Sequence, residues 1–512
     1  MTFILNAATN NPGLDWSLTA LFIVLTIAVI AFTVWLLVRS INGEGAVTLG
    51  KAKVGAGTVL LIIVLAGALI RIAFTFVSAG NRDELKIALD AAEEWIKYGP
   101  SEYIRRYFSD LNSSDAGRFL YPLAYYYVGL TAGSLMSAGL SSSSVLVVFS
   151  LKLPLIIADA VTALVIYKLT AKYRNKKVAL ILAAFICFCP LFIFASAVWT
   201  SVYSLLACLI AVSFCFLVEK KHILSIAVYA VALLVVKDAS YLFPLYLVYY
   251  AYTWFRSIML KDKYTAFVLP VTVIACVALQ YLICLPLTSV KYSGDFFATI
   301  GEIFLYPLTQ LYRFSDNGLS IYNVFMKGGA LTTVIFRSQQ SIFFIIAFSL
   351  IAASVTAVVY FGKRNRAVLT VVAAFIVLLY QTVYFDMSVT SVLPSIILLI
   401  MAFAYVKDKR LLKIAFSETL LAIVTMSLVF ACAGYYNYLP IEQFFTVSAQ
   451  DNMQLANVLW GKISVITLSV LSIANLAYFT KVIIDVAMSD KVRPLGGKQD
   501  ISFADSVAYF LK

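Results

Sequence analysis

The sequence predicts an all-α polytopic membrane protein with about thirteen transmembrane helices, because it is far too apolar for a soluble fold. Of its 512 residues, 62% are hydrophobic and 13% are charged. Soluble globular proteins are about 45–50% apolar and about 25% charged. The Lys and Arg residues, which give a net charge of +13, lie in short clusters between the apolar runs, as the positive-inside rule requires. The composition therefore excludes a soluble domain and a nucleic-acid-binding protein.

The first two apolar runs, residues 17–38 and 56–77, are predicted to be transmembrane helices. The basic residues between them, Arg39, Lys51 and Lys53, indicate a cytoplasmic loop. We therefore expect the N-terminus outside, together with the polar stretch that follows the second helix.

Residues 119–140 are apolar, but we do not predict that they cross the membrane. If they crossed as well as residues 145–169, the basic cluster at 172–177 would lie outside. Counting only 145–169 as a crossing places this cluster and every later basic cluster inside, including that of the C-terminal tail. Residues 119–140 are therefore predicted to form a re-entrant or surface helix on the outer face, shielded by protein.

This topology divides the chain into four regions. They are an extra N-terminal helix with its inner loop, a core module, C-terminal transmembrane helices and a cytoplasmic tail, at residues 1–54, 55–340, 341–486 and 487–512. The core module carries two long outer loops, residues 80–144 and 287–340. Long loops are unusual unless they carry function, so we expect the chemistry on the outer face of the cell membrane.

The first outer loop begins with an amphipathic helix, predicted over residues 83–97. Its apolar residues recur at helical spacing, and charged residues occupy the opposite side. Such a helix lies in the membrane interface with Trp95 as an anchor, and Gly99-Pro100 ends it. Asp83, at its start, has two compatible interpretations. It caps the helix, or it is a carboxylate that deprotonates a hydroxyl or binds a cation at the membrane surface.

Arginines and tyrosines follow in the same loop. Arg105, Arg106 and Arg118 suit a lipid phosphate, because a guanidinium binds phosphate through two hydrogen bonds. Ordinary anchoring at the interface is the alternative. A run of tyrosines then begins at Tyr121-Pro122.

This order of features resembles the GT-C superfamily. Three features of the chain are similar to the pattern of this superfamily. They are an acidic residue after the first core helix, an amphipathic helix that ends in Trp-x-x-x-Gly-Pro, and then Tyr-Pro. Its members are multi-spanning glycosyltransferases that use polyprenyl-phosphate sugars, and the likeness is greatest to bacterial relatives of the dolichyl-phosphate-mannose-dependent mannosyltransferases. Further similar motifs follow in order within residues 60–330: Leu153-Pro154 with Asp159, Ser196-Ala197-Val198-Trp199, Lys237, and Leu319-Ser320-Ile321-Tyr322-Asn323.

The chain departs from the family pattern in three places. Leu120 stands where the family often has Asp. Thr200 follows Trp199 in place of Gly, and Asp238 follows Lys237 in place of Pro. Of the acidic residues on the outer face, the resemblance retains only those at the start of the amphipathic helix.

The resemblance implies an inverting glycosyltransferase that moves mannose or another hexose from a polyprenyl-phosphate donor to a glycolipid or polysaccharide acceptor. Asp83, with Glu84 beside it, is then the catalytic base. The other candidate residues are Lys237, Arg313, Arg105 and Arg118 for the donor phosphate, and Tyr121, Tyr125, Trp199 and Asn323 for the sugar or acceptor. One carboxylate base suffices for an inverting transfer, so no cofactor is assigned, and the departures from the family pattern leave only weak support for a divalent metal.

Two other functions fit the same sequence. The departures from the family pattern favour a catalytically silent GT-C-like scaffold in envelope glycan assembly. A transporter or flippase for lipid-linked glycans is the other alternative. It predicts broken helices in paired repeats, and the sequence indicates none.

Charged residues inside the predicted helices need partners. Arg71 and Asp159 fall within apolar runs, where an unpaired charge is costly, so we expect a structural ion pair between them. The sole histidine, His222, lies beside an inner basic cluster, which argues against histidine chemistry outside. The seven cysteines lie in or beside apolar runs and are expected to be free thiols.

Overall fold

The computed structural model describes residues 12–41, 55–77, 82–100, 120–142, 144–287, 319–321, 324, 338–384, 387–406, 408–436 and 452–488. Every secondary-structure element in these ranges is a helix. Seven helices are long and apolar enough to cross a bilayer, or eight if one bent pair counts as a span. The protein is therefore a multi-pass helical membrane protein, as its composition predicts, whereas the count of thirteen crossings stays a prediction.

The helices of the first half are α1 Pro12–Ile41, α2 Ala56–Val77, α3 Arg82–Tyr98, α4 (122–137, formed by Pro122–Val128, the π-helical Gly129–Gly133 and Ser134–Ser137), α5 Val145–Tyr173, α6 Lys176–Phe188, α7 Pro190–Ile193 with the π-helical Phe194–Val198, and α8 Tyr203–Val218. Those of the second half are α9 His222–Leu233, α10 Phe243–Met259, α11 Lys263–Cys284, α12 Ser338–Lys363, α13 Val368–Val383, α14 Leu393–Tyr405, α15 Lys409–Tyr436 and α16 Asn452–Met488.

The centre of the bundle is α14, which is apolar on all sides and buried along its whole length. It packs against α5, α8, α13 and α15. A helix with no polar face is stable only where protein or lipid surrounds it completely. By contrast, α2 keeps much of its surface exposed, as expected of a helix that faces lipid on one side. The limits of α2 coincide with the run 56–77 that the sequence predicts.

One helix is broken, which the sequence analysis did not predict. α6 and α7 meet at an angle of 45°, and Cys189 lies between them in an extended conformation. The cause is Pro190, which has no backbone N–H and therefore cannot continue the hydrogen-bond ladder of α6. The hydropathy of this run is continuous and gave no sign of the break, so Pro190 itself was the only local signal for it.

Arg71 and Asp159 form the ion pair that the sequence leads us to expect. Arg71 Nε donates to Asp159 Oδ2 at 2.8 Å, and both side chains are buried. Arg71 Nε also lies 3.3 Å from the hydroxyl of Ser196. The pair therefore joins α2, α5 and the π-helical end of α7.

Basic residues gather at one end of the bundle, which we call the basic end. Lys172 and Lys221 both bind the carboxylate of Glu219, at 2.9 and 3.2 Å. Nearby in the fold's second half, Arg410 binds Asp408 and also Asp485 of α16. These contacts join the ends of helices that are distant in the sequence.

Candidate functional site

The candidate site lies at the opposite end of the bundle, where α3 rests, and we call this the α3 end. The first turn of α3 contains Asp83, because the helix begins at Arg82 rather than at Asp83 as predicted. A carboxylate in the first turn is favoured by the helix dipole. The side chains of Asp83 and Glu84 lie outside the described residues, so their catalytic role stays a prediction.

Trp95 joins α3 to α4. Its ring meets the rings of Tyr125 and Tyr126 nearly edge-on, with centroid distances of 5.3 and 5.8 Å. The indole lies directly over Gly129, where a Cβ atom would come within 2.1 Å of it. Trp95 therefore packs against protein, in addition to the interfacial anchoring that the sequence predicts. Only glycine leaves room for this contact, so Gly129 sets the distance between the two helices.

α4 is in turn attached to three other helices. The backbone N–H of Leu123 donates to the carbonyl of Leu234, just after α9, at 3.0 Å. The hydroxyl of Tyr126 donates to the carbonyl of Ile283 in α11 at 3.1 Å. Burial raises the pKa of Tyr126 to about 12, so this hydroxyl stays protonated and able to donate.

The third attachment runs from Tyr127 to the carbonyl of Ser150 in α5, at 2.6 Å. α4 itself is not among the helices long enough to span a bilayer. It thus forms a fixed support at the α3 end, and α3 rests on this support through Trp95.

A tight turn, residues 199–204, connects α7 to α8 at the α3 end. Trp199 is 3% exposed, and its ring packs against Phe194 with a centroid distance of 5.8 Å. Thr200 has a φ of 63°, a left-handed conformation that strains a β-branched residue. Ser201 donates to Thr390 at 2.9 Å, which fixes the turn against the segment before α14.

Lys152 connects α5 to the same turn. Its side chain is buried, and its ammonium group donates to the carbonyl of Ala197 at 2.7 Å. Because Ala197 lies two residues before Trp199, the amino group of Lys152 is held next to the turn. Lys152 was not among the site residues predicted from the sequence.

Asp238 brings a buried carboxylate to the α3 end. The hydroxyl of Tyr203, the first residue of α8, donates to Asp238 Oδ2 at 2.5 Å. Asp238 is the second residue of the 3-10 helix Lys237–Leu242. Tyr241, in the same helix, stacks on Tyr380 with a centroid distance of 4.2 Å.

From the sequence, Asp238 is only a departure from the family pattern. Its position directly after Lys237, a residue already chosen as a candidate, was the signal that could have identified it. Lys237 begins the 3-10 helix and therefore lies beside this carboxylate.

The predicted site residues are distributed unevenly over the structure. Tyr121 and Tyr125 are buried, and the ring of Tyr125 packs against Trp95. Their predicted contact with a sugar stays a prediction, as does that of Trp199. The candidates that lie outside the described residues are Arg105, Arg118, Arg313 and Asn323.

Within the described ranges, the structure has no group of three or more His, Cys, Asp or Glu side chains that could hold a metal ion. Three buried carboxylates there, Asp159, Asp238 and Glu418, each have a basic, hydroxyl or amide partner.

Neither a model of a known protein family nor a characterised protein matches the chain.

Proposed function

We propose that the protein is a membrane glycosyltransferase that moves mannose or another hexose from a polyprenyl-phosphate donor to a glycolipid or polysaccharide. The observation that carries the proposal is the docking of α3 on α4. A helix whose first turn contains Asp83 is held at the end of the bundle by the contact of Trp95 with Gly129. The order of motifs that resembles the GT-C superfamily supports the same conclusion.

In this proposal the α3 end faces the outside and the basic end faces the cytoplasm. The basic contacts of Lys172, Lys221 and Arg410 lie at the basic end, and cytoplasmic loops are rich in Lys and Arg. The shorter apolar helices and α10 also cross, which gives the thirteen crossings expected from the charge clusters. The N-terminus is then outside and the C-terminus is in the cytoplasm.

The reaction requires one base and a cationic site for the leaving group. Asp83 removes the proton from the acceptor hydroxyl, and that oxygen attacks the anomeric carbon from the side opposite the lipid phosphate. The bond between this carbon and the phosphate oxygen breaks, and the configuration inverts. The lipid monophosphate leaves with its charge stabilised by nearby cations, for which Lys237, Arg105, Arg118 and Arg313 are the candidates.

The test is sugar transfer in proteoliposomes. Purified full-length protein is supplied with radiolabelled polyprenyl-phosphate mannose or polyprenyl-phosphate glucose and with host lipid extract as acceptor. We expect a labelled glycolipid product whose formation falls about 100-fold or more in Asp83→Asn, since positioned general bases contribute about 10²–10⁴-fold. Asp90→Asn is the matched control, because Asp90 is an exposed carboxylate on the same helix.

Three outcomes would count against the proposal. Equal transfer by wild type and Asp83→Asn would remove Asp83 from the mechanism. Donor that binds but is never consumed would favour the silent scaffold. Movement of intact lipid-linked sugar across the bilayer without transfer would favour a flippase.

A further inference from the structure

Three buried side-chain polar atoms in the turn 199–204 make no hydrogen bond within the part of the chain that the structure describes. They are Nε1 of Trp199, Oγ1 of Thr200 and Oγ of Ser204. Trp199 and Ser204 are 3% and 2% exposed, so bulk water does not reach their atoms freely. Native proteins satisfy most buried polar atoms, and each exception needs an explanation such as strain or a missing ligand.

Charged and polar groups lie next to this turn. The buried Lys152 donates to the carbonyl of Ala197, two residues before Trp199. Tyr203 donates to the carboxylate of Asp238 at 2.5 Å. The turn and its neighbours therefore supply hydrogen-bond donors, namely an indole N–H and a lysine amino group, together with a carboxylate acceptor and a hydroxyl that acts as either.

This combination fits sugar hydroxyl groups better than it fits phosphate. Each sugar hydroxyl donates one hydrogen bond and accepts others, so it needs both kinds of partner. A phosphate accepts only, and the carboxylate of Asp238 would repel it.

We propose that the turn 199–204, together with Asp238, is a subsite for the hydroxyl groups of the transferred sugar. The indole N–H of Trp199 donates to a sugar oxygen, Ser204 exchanges a hydrogen bond with a hydroxyl, and Asp238 accepts from a hydroxyl while Tyr203 orients it. The inference rests on the proposed function, since it assigns the sugar of the lipid donor to this turn. It adds a determinant of sugar affinity that is separate from the base.

The strained backbone of Thr200 supports a site at this position. A β-branched residue with a φ of 63° is kept only where the surrounding structure fixes it, and such residues occur preferentially at functional sites. The hydrogen bond between Ser201 and Thr390 supplies this constraint. The strain and the unsatisfied atoms are independent observations on the same six residues.

The test is binding of three lipids to the full-length protein in nanodiscs: polyprenyl-phosphate mannose, polyprenyl-phosphate glucose and polyprenyl phosphate without a sugar. We expect wild type to bind one of the sugar-bearing lipids more tightly than the sugar-free lipid. Ser204→Ala and Trp199→Phe should each weaken that binding by about three- to tenfold, the effect of one lost hydrogen bond. Binding of the sugar-free lipid should not change.

Ser395→Ala is the matched control, because Ser395 is also buried but donates to the carbonyl of Ala374 at 3.0 Å. It should lower the thermal midpoint and leave sugar affinity unchanged. If Ser204→Ala instead raises the thermal midpoint without weakening sugar binding, the atoms are merely unsatisfied or hydrated, and the subsite is refuted. Equal binding of all three lipids by wild type refutes it too. If wild type binds no lipid at all, the glycosyltransferase proposal itself fails.

Discussion

Arg71 supplies the hydrogen bond that Pro190 cannot make. In an unbroken helix, the backbone N–H of residue 190 would donate to the carbonyl of Ile186. Proline has no such N–H, and Arg71 Nη2 donates to that carbonyl instead, at 3.0 Å. Arg71 Nη1 donates to the next carbonyl, that of Cys187, at 2.7 Å. The guanidinium therefore closes the break between α6 and α7, in addition to pairing with Asp159.

Replacing Arg71 should consequently destabilise the protein strongly. In Arg71→Lys the ammonium group reaches fewer of these acceptors, and in Arg71→Met the carboxylate of Asp159 is left buried without its partner. We expect losses of about 2 kcal/mol for the first variant and about 3–5 kcal/mol for the second. Unfolding of the purified protein in denaturing detergent, followed by circular dichroism, measures both.

The control for this prediction is Arg39→Lys, because Arg39 is exposed near the end of α1 and rests over the ring of Trp35. Its stability should change by less than about 0.5 kcal/mol. A loss in Arg71→Lys no larger than in this control would show that the break does not depend on the guanidinium.

Gly129 should be essential for the position of α3. In Gly129→Ala the new methyl group overlaps the indole of Trp95, so α3 and α4 must separate. We expect a loss of about 1–3 kcal/mol in stability and a fall in sugar transfer that is larger than this loss explains. Transfer assays at a temperature where the variant stays folded separate the two effects.

A second substitution makes the Gly129 prediction specific. Trp95→Leu in the Gly129→Ala background removes the overlap and should restore part of the transfer activity. Gly57→Ala is the control, since a Cβ atom there meets nothing within 4 Å, and alanine favours a helix. Absence of any rescue by Trp95→Leu would mean that the contact does not position α3.

These two contacts mark the limit of what the sequence could predict. The span 56–77 and the pairing of Arg71 with Asp159 follow from local hydropathy and from the cost of a charge in a bilayer. The break at Pro190 and the contact of Trp95 with Gly129 do not follow from these two signals. In an apolar run every face is apolar, so hydropathy carries no signal about which side packs on protein or where a neighbour supplies a missing hydrogen bond.

The candidate site was predicted less completely for a related reason. Family-like motifs led to Asp83, Trp199 and Lys237, but Asp238 acquires its importance only from the hydroxyl of Tyr203. These two residues are far apart in the sequence, and neither belongs to a motif that requires the other. Only the fold of α8 against the segment after α9 brings them together.

The basic end should contribute stability that depends on pH. The hydrogen bond from Lys172 lowers the pKa of Glu219 below its usual value. A carboxyl group with a lowered pKa in the folded protein stabilises the fold above its unfolded pKa of about 4.3, and this contribution is lost as the pH falls through the folded value. We expect Glu219→Gln to cost about 0.5 kcal/mol at pH 7 and progressively less as the pH falls through the folded pKa of Glu219.

Thermal midpoints of wild type and Glu219→Gln across this pH range check the prediction. Glu93→Gln serves as the control, because Glu93 lies 3.9 Å from Lys97 and both side chains are largely exposed. Its effect should be smaller at every pH. A difference between wild type and Glu219→Gln that persists unchanged at low pH would contradict the ion-pair explanation.

Thr200→Gly should stabilise the protein, which is unusual for a substitution by glycine. A left-handed conformation costs an L-residue about 1–2 kcal/mol, while glycine adopts it freely at an entropic cost of about 0.5–1 kcal/mol. The Thr200 hydroxyl makes no hydrogen bond within the described residues, so its removal loses little. The φ of 63° at Thr200 therefore predicts a net gain of about 0.5–1 kcal/mol.

Thr467→Gly, within the long helix α16, is the matched control, and it should lose about 0.3–0.5 kcal/mol because glycine disfavours a helix more than threonine does. Denaturant midpoints of the two variants should therefore move in opposite directions from wild type. If both move downward by similar amounts, the turn is not strained at Thr200. If Thr200→Gly gains stability but loses sugar affinity, the strained backbone at Thr200 keeps the turn in the conformation that binds sugar. The wild-type protein is then less stable because this conformation is needed for binding.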